Sequence, residues 1–340
     1  MLGRILLLFA TLFSTLSYSS IPQRTPYIVN GANVTQGDIP WQAAVESPSG
    51  VCGGVIIGSQ WVLTAAHCVT DSNTDQPNSI SGIKIYSGSV IRNQNTAYNA
   101  TQLDVYPGYT NDDDLIGSYY DIALIRISGG FPANSAIKML SSNQQLDIEI
   151  SNTWVDDQPK TPNLLVSGWG ITNGSDINSN PYNLQATLLS GVPDSVCRQK
   201  WKLNIPASYV LCASPPNPAI TNTSCKGDSG GPVVWQDPNY QSDADRGYRL
   251  AGLVSAGPGE CKVSAPELET QVSQFYNWVK SKTGTLVTDT TTSSFPVDIF
   301  QKYASTAQAP SSGGSGGGGG TMSIFSFLFL CALTRIRRSR

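Results

Sequence analysis

Short apolar runs, separated by Gly, Pro, Asn and Ser, fill the chain between residues 28 and 283. Runs of this length, with turn residues between them, are typical of the strands of an all-β sandwich or barrel. No internal repeat of fixed period interrupts this pattern. We therefore predict strands at residues 55–57, 61–64, 83–86, 122–127, 164–167, 233–235 and 250–254.

One segment near the end of this region predicts a helix. Val272, Phe275, Tyr276 and Val279 recur at spacings of three and four, which places them on one helical face. It is the only stretch of the region that we expect to be helical. Residues 284–320 are instead rich in Thr, Ser, Ala and Gly, and this composition predicts a linker.

The first 20 residues predict a secretory signal peptide. Arg4 gives a positive start, an apolar run follows, and small residues close the segment. The apolar run is about 12 residues long, shorter than the roughly 20 that a membrane-spanning helix needs. We therefore expect this segment to be removed rather than to anchor the chain.

The last residues predict a sorting or anchor signal at 321–340. A glycine-rich run precedes an apolar stretch, and four arginines close the chain. Basic residues resist translocation, so this tail is the only part expected to meet a membrane. The layout resembles the GlyGly-CTERM sorting tail of Gram-negative bacteria, which implies processing by a rhomboid-type protease and display at the cell surface. The alternative is a eukaryotic glycolipid (GPI) anchor signal on an extracellular protein, although terminal arginines fit that signal poorly.

The composition excludes several function classes. The chain has 340 residues, of which 40% are apolar and 13% charged, enough for a hydrophobic core. Its formal net charge of −3 lacks the basic excess of a nucleic-acid-binding protein. A single histidine, His67, argues against a multi-histidine metal site, and we expect no metal or other cofactor.

The cysteines predict disulfides. Of the seven cysteines, Cys331 lies in the tail, which leaves six in an exported region. An even number in an oxidising compartment indicates three disulfides, and spacing alone leaves all 15 pairings open. The six residues are Cys52, Cys68, Cys197, Cys212, Cys225 and Cys261.

Three segments contain residues suited to nucleophilic catalysis: TAAHC around His67, DIALI beginning at Asp121, and CKGDSGGP around Ser229. A serine hydroxyl is a weak nucleophile and needs an adjacent base, and the base needs a carboxylate that fixes its tautomer. Glycines beside the serine let backbone N–H groups approach a developing oxyanion. Together these residues predict a hydrolase.

In this order, the three segments resemble the trypsin/chymotrypsin family of serine endopeptidases. The sequences IVNG at Ile28 and GWG at Gly168 strengthen the resemblance, which runs from residue 28 to about residue 282. It implies two packed antiparallel six-stranded β-barrels with a C-terminal helix, a peptidase domain at 28–283, and an active site between the barrels. It also implies that the substrates are proteins or peptides.

The resemblance assigns a role to each catalytic residue. Ser229 would be the nucleophile, His67 the general base and then the general acid, and Asp121 the residue that orients His67. The backbone N–H groups of Gly227 and Ser229 would form the oxyanion hole. Ser255 matches a serine that supports the buried aspartate. The resemblance also pairs the cysteines as Cys52–Cys68, Cys197–Cys212 and Cys225–Cys261.

The same resemblance implies a zymogen. Cleavage before Ile28 would remove a short propeptide at 21–27 and free an ammonium group that pairs with Asp228. Tyr27 stands before that bond where Lys or Arg is usual, which argues against simple tryptic self-activation. We therefore expect a separate activating protease.

Substrate specificity is where the sequence departs from the family. Thr223 occupies the pocket floor, where trypsin-like members have an aspartate. Glu267 stands where glycine is usual, opposite the entrance glycine Gly257, and two interpretations remain open. Its carboxylate either points into the pocket and holds Lys or Arg, or is solvated. Lys226 lies at the pocket mouth and is expected to favour acidic residues after the scissile bond.

Two other functions remain as alternatives. A non-catalytic surface binding module could use the same fold, since fold does not fix function. An esterase is the second alternative, because the glycines around Ser229 match a G-x-S-x-G motif, but the order of an esterase triad is absent. The intact catalytic set favours an endopeptidase.

Overall fold

The computed structural model describes residues 28–111, 120–141, 148, 158–176, 178–201, 209–284 and 293–308. The predicted signal peptide, propeptide and C-terminal tail lie outside these residues. Within the described part, no helix has both the length and the apolar character needed to cross a membrane.

The described part of the chain is mostly sheet. Its strands are β1 (Ala32–Asn33), β2 (Gln42–Ser47), β3 (Gly50–Gly58), β4 (Trp61–Thr64), β5 (Lys84–Ser87), β6 (Thr96–Val105), β7 (Ala123–Ile127), β8 (Lys138–Met139), β9 (Leu164–Gly168), β10 (Gln185–Val192), β11 (Val210–Ser214), β12 (Pro232–Gln236), β13 (Tyr248–Ala256) and β14 (Glu267–Gln271). All seven segments predicted as strands overlap strands of the structure, so the periodicity argument is confirmed there.

Two closed antiparallel barrels of six strands each make up the fold. The first has the strand order β2-β3-β4-β7-β6-β5, and β5 pairs with β2 to close it. The second has the order β9-β10-β11-β14-β13-β12, closed by the β12–β9 pairing. Outside the rings, β1 pairs with β10, and β8 pairs in parallel with β13. The predicted fold class is confirmed.

Branched aliphatic side chains fill the first barrel because successive residues of a strand point to opposite faces. Val45, Ile56, Val62, Ile85 and Ile125 each come from a different strand and are all less than 1% exposed. Such residues favour extended backbone and pack well on a pleated surface. Packing therefore holds the ends of β4 and β7, which carry two of the candidate catalytic residues, in fixed positions.

The helices differ in part from the prediction. The predicted helix is present as a 3₁₀ turn (Val272–Phe275) that continues into α2 (Tyr276–Thr283). The prediction that the region 28–283 contains no other helix is wrong, because α1 (Asp194–Trp201) precedes it in the chain. The short α3 (Ile299–Lys302) lies beyond that region. Helix α1 has an acid in its first turn and two basic residues in its last, a helix signal that apolar periodicity does not detect.

The linker prediction for 284–320 is wrong for residues 293–308, which we call the C-terminal strap. The strap packs on the barrels and buries Phe295, Ile299 and Tyr303 to 4% exposure or less. Phe295 meets the indole of Trp41 edge to face, with ring centroids 4.7 Å apart. The Tyr303 hydroxyl donates a 2.6 Å hydrogen bond to Asp38. The Thr- and Ser-rich composition predicted a linker, although three large apolar residues occur in this segment at intervals of four.

All three disulfides implied by the resemblance are present. Cys52 is joined to Cys68, Cys197 to Cys212, and Cys225 to Cys261. The first links β3 to the 3₁₀ turn that carries His67. The last ties the loop before Ser229 to the loop after β13.

Candidate active site

His67 and Asp121 lie at the ends of neighbouring strands of the first barrel. His67 follows β4 in the turn Ala66–Cys68, and Asp121 comes two residues before β7, which pairs with β4. Nδ1 of His67 is 2.7 Å from Oδ2 of Asp121, and the backbone N–H of His67 donates to Oδ1 at 2.9 Å. Two bonds to one carboxylate fix both the position and the tautomer of the imidazole.

The His67–Asp121 pair combines a buried carboxylate with a partly accessible imidazole. The side chain of Asp121 is 1% exposed and that of His67 is 29% exposed. Burial favours the neutral form of the imidazole, but the charge and hydrogen bond of Asp121 outweigh it and raise the pKa of His67 above its ordinary value. Burial likewise opposes ionisation of Asp121. The charge and hydrogen bonds of His67, together with the hydrogen bond from Ser255, outweigh burial and lower the pKa of Asp121.

The second barrel holds Asp121 from the other side. The Ser255 hydroxyl, in β13, donates a 2.6 Å hydrogen bond to Oδ2 of Asp121. The hydroxyl of Thr270, in β14, donates to the backbone carbonyl of Asp121 at 2.8 Å. Ser255 was predicted to support Asp121 through the resemblance, whereas Thr270 was missed because no local pattern singles it out.

Ser229 lies in the loop that leads into β12. Its backbone carbonyl accepts a 2.8 Å hydrogen bond from the N–H of Gly53, in β3 of the first barrel. The sulfur of Cys68, the residue after His67, is 3.6 Å from the same carbonyl oxygen. The structure thus brings Ser229 next to the His67 turn, across the boundary between the barrels.

The backbone around Ser229 leaves two donors available. Gly227 has φ of +98°, a conformation that side chains with a Cβ rarely adopt. Neither its N–H nor that of Ser229 donates a hydrogen bond to a described group. Free N–H groups beside a nucleophile can stabilise a developing oxyanion.

Asp228 is buried at the back of the same loop. Its carboxylate is 1% exposed and accepts hydrogen bonds from the N–H groups of Gly170, at 2.8 Å, and Cys225, at 2.9 Å. A Cβ at Gly168 or Gly170 would overlap this carboxylate, so both glycines are required by the close approach. Burial raises the pKa of Asp228 to about 7 despite the two hydrogen bonds.

The predicted partner of Asp228 is not bonded to it. Ile28 is fully buried among the aliphatic residues of the second barrel, and among the described contacts no hydrogen bond or ion pair joins it to Asp228. Ile28 has φ of +49°, an outlier for a β-branched residue. The next residue, Val29, forms a β-bridge with Thr223.

The predicted specificity residues come from β13 and the residue after it, from the start of β14, and from the loop before Ser229. Glu267 is 2% exposed, and its carboxylate accepts from the Ser224 N–H at 3.0 Å and the Ser224 hydroxyl at 2.6 Å. The solvated alternative for Glu267 is therefore wrong. A Cβ on Gly257 would stand 3.9 Å from Cγ of Glu267, so the two residues face each other. Thr223 is buried and Lys226 is exposed.

One group of potential metal ligands lies beside the site. A ring nitrogen of His67 and the sulfurs of Cys52 and Cys68 fall within 4.8 Å of one another. The two sulfurs are bonded to each other as a disulfide, so they are not thiolate ligands. The disulfide instead fixes the position of the turn that carries His67.

Comparison with known proteins agrees with this geometry. The profile of the family described as Trypsin matches residues 28–279. Chymotrypsin-2 of Vespa crabro is 32% identical over 257 residues, which cover 74% of this chain and 98% of the hornet protein. Trypsin Tyr p 3.0101 of Tyrophagus putrescentiae is 28% identical over 275 residues (79% and 86%), and Trypsin-1 of Astacus astacus 28% over 261 (75% and 99%). A match across both barrels shows that this chain belongs to the trypsin family of serine proteases.

Proposed function

We propose that this chain is an exported serine endopeptidase that hydrolyses peptide bonds through an acyl-enzyme, with Ser229, His67 and Asp121 as its catalytic triad. The observation that carries the proposal is the hydrogen-bonded series from Ser255 through Asp121 to His67. The packing of the barrels does not require a histidine at the end of this series, because the His67 side chain remains partly open to solvent. It does supply a base with a fixed tautomer next to a serine.

The reaction follows from these roles. His67 takes the proton of the Ser229 hydroxyl as Oγ attacks the substrate carbonyl carbon, and the imidazolium then gives that proton to the leaving amine. Asp121 stabilises the imidazolium while it carries the charge. Water hydrolyses the ester in a second cycle of the same proton transfers, which restores free Ser229.

The proposed oxyanion hole consists of the N–H groups of Gly227 and Ser229. Negative charge develops on the carbonyl oxygen during attack, and donors already in place stabilise it without reorganisation. Neither N–H group donates to an acceptor in the described part of the chain, which supports this role. Loss of one such donor typically costs about 10²–10³ in kcat.

The zymogen proposal rests on Ile28 and Asp228. In the uncleaved chain no cation among the described residues is bonded to the buried carboxylate of Asp228, and Ile28, a β-branched residue, adopts a left-handed backbone conformation. Both features are costly. Cleavage before Ile28 removes the φ torsion of Ile28 and creates an ammonium group that can pair with Asp228. A separate activating protease is part of this proposal, because Tyr27 precedes the bond.

The substrate pocket is proposed to accept Lys or Arg before the scissile bond, held by Glu267. Thr223, at the proposed floor, is uncharged, so the wall residue Glu267 supplies the anion instead. Its burial and its position facing Gly257 support this assignment. Lys226 is proposed to lie at the pocket mouth and favour acidic residues after the bond.

Export is proposed from the two ends of the chain. A signal peptide at 1–20 and a processed tail at 321–340 would deliver the protein to the surface of a Gram-negative bacterium, with a rhomboid-type protease acting on the tail. A GPI-anchored or free extracellular protein of a eukaryote is the alternative. The three disulfides support an oxidising destination in either case.

Reaction with an organophosphate serine probe tests the central proposal. Protein cleaved before Ile28 is expected to be labelled at Ser229 and to cleave a peptide panel. Ser229→Ala should lose both activities, whereas the matched variant Ser128→Ala, at an exposed serine on the first barrel, should keep both. An unlabelled, folded, cleaved wild-type protein would show that the chain is a binding module instead.

A further inference from the structure

A second buried glutamate, Glu269, lies next to the proposed specificity residue. Glu267 and Glu269 are two residues apart on β14, so both side chains leave the same face of the strand. Both are at least 98% buried, at 2% and 1% exposure. The family resemblance assigned no role to Glu269.

Among the described residues, the carboxyl group of Glu269 lacks a hydrogen-bond donor. No N–H or O–H group of the described residues donates a hydrogen bond to either of its oxygens. The carboxyl group of Glu267 lies close enough to interact with it, and the backbone of Ser255 offsets part of the cost of its charge. Two carboxylates are both acceptors, so this contact requires a proton on one of them.

Among the residues that the structure describes, no cation interacts with Glu269 to replace that proton. Asp228 adds a further negative charge from the loop before β12. On the neighbouring strands, Glu269 stands opposite the apolar Leu211 of β11 and Val254 of β13. Burial and the proximity of Glu267 raise the pKa of Glu269 well above its ordinary value.

We propose that Glu269 is a second specificity residue, which shares a proton with Glu267 in the empty pocket and releases that proton when a basic side chain binds. This inference rests on the proposed function, because it deepens the role of the same pocket. The guanidinium of Arg, or the ammonium of Lys, donates hydrogen bonds to both carboxylates in place of the proton. The proton leaves to water, so charge balances without any other reactant.

The consequence is a preference for basic side chains that strengthens with pH. Displacing one proton makes the affinity for a cation rise by up to about tenfold per pH unit while the pair is protonated. A neutral side chain displaces no proton and should show no such dependence. If one buried glutamate with hydrogen bonds from Ser224 acted alone, the affinity for a basic side chain would stop rising with pH once that glutamate is ionised.

Benzamidine, an aromatic amidinium, is the probe for the test. Calorimetry of its binding to the otherwise complete chain cleaved before Ile28, in buffers of different ionisation enthalpy, counts the protons released. Wild-type protein is expected to release up to about one proton per ligand across the neutral range. Glu269→Gln, which keeps the shape and a donor to Glu267, should release less and show a flatter affinity–pH profile. Glu267→Gln should weaken binding at least about tenfold.

Glu46→Gln is the matched control, because Glu46 is exposed on the first barrel. Because His67 is present in every variant, comparison with Glu46→Gln also accounts for protons that His67 takes up or releases. Equal proton release by wild type and Glu269→Gln would overturn the pairing, as would zero release by the wild type. Either result with normal organophosphate labelling leaves the proposed function intact, whereas absent labelling contradicts the proposed function itself.

Discussion

The hydroxyl of Ser255, in the second barrel, donates a 2.6 Å hydrogen bond to the carboxylate of Asp121, in the first. The bond crosses the boundary between two closed sheets that share no strand. It ends on the same oxygen that contacts Nδ1 of His67. The geometry of His67, the proposed catalytic base, therefore depends on how the two barrels pack.

Ser255→Ala should lower kcat/KM roughly tenfold or more, because a hydrogen bond to a charged group contributes about 1.5–3 kcal/mol. Ser255→Thr, which keeps the hydroxyl, should restore most of the activity. Steady-state kinetics on a small ester and a peptide measure both variants. An unchanged kcat/KM in a folded Ser255→Ala protein would mean that Asp121 is held well enough without this bond.

Asp121→Asn should lower kcat by about 10⁴, since the amide favours the wrong tautomer of His67. The pH dependence of kcat/KM should also shift. His67 is active as a base when neutral, so activity rises with pH through its pKa, which Asp121 holds above the ordinary value. Removing the charge lowers that pKa and shifts the acid limb of kcat/KM to lower pH. A limb that stays in place would argue against His67 as the titrating group.

The uncleaved precursor should lose stability as the pH rises towards 7. Asp228 has a pKa of about 7 in the folded chain and an ordinary value of 3.8, so the folded state binds the extra proton between these values. Stability then falls by up to about 1.4 kcal/mol per pH unit. Cleavage before Ile28 supplies an ammonium group and should reverse this loss.

Thermal unfolding of the Ser229→Ala precursor against pH, before and after cleavage, measures this difference. Glu267 and Glu269 are present in both forms, so the comparison reports only what cleavage changes around Asp228 and the groups coupled to it. Asp228→Asn should remove the difference between the two forms. If cleaved and uncleaved proteins respond identically to pH, Ile28 does not pair with Asp228.

Ending the chain at Gly284 should destabilise the barrels, whereas ending it at Gln308 keeps the strap and serves as the control. Phe295→Ala is expected to cost about 3–5 kcal/mol, because the ring fills a buried site against Trp41. Tyr303→Phe should cost about 1 kcal/mol or more, since Asp38 loses a buried donor. Denaturant unfolding measures all four proteins. Equal stability of the two truncations would mean that the strap adds nothing.

The strap shows where composition misleads. Residues 284–320 as a whole are rich in Thr, Ser, Ala and Gly, and this composition predicted a linker, yet Phe295, Ile299 and Tyr303 recur every four residues. Three such residues are too few to stand out against a polar background. Their partners, Trp41 and Asp38, lie more than 250 positions earlier in the chain. Only the folded barrels provide the surface that orders them.

In β14, charged residues concealed a buried strand from the sequence prediction. Glu267 and Glu269 stand in a strand that is buried at every position, where apolar residues are the rule. A sequence pattern with charged residues at alternate positions favours a solvated face, so the strand was not predicted from periodicity. The structure buries both carboxyl groups because β14 lies between β11 and β13 and is covered at every position.

The sequence by itself determined the all-β class, the strands with dense apolar residues, and the candidate base, carboxylate and serine with their neighbouring glycines. Those features are local, and backbone preference and side-chain chemistry encode them directly. The family resemblance already predicted that Ser255 supports Asp121. The tertiary structure alone decided that Thr270 also holds Asp121, that Glu269 meets Glu267, and that residues 293–308 pack on the barrels. The partners of Asp121 lie 134 and 149 residues away in the chain. Contacts of that range arise only when two closed barrels pack together, because no local pattern specifies which distant residues will meet.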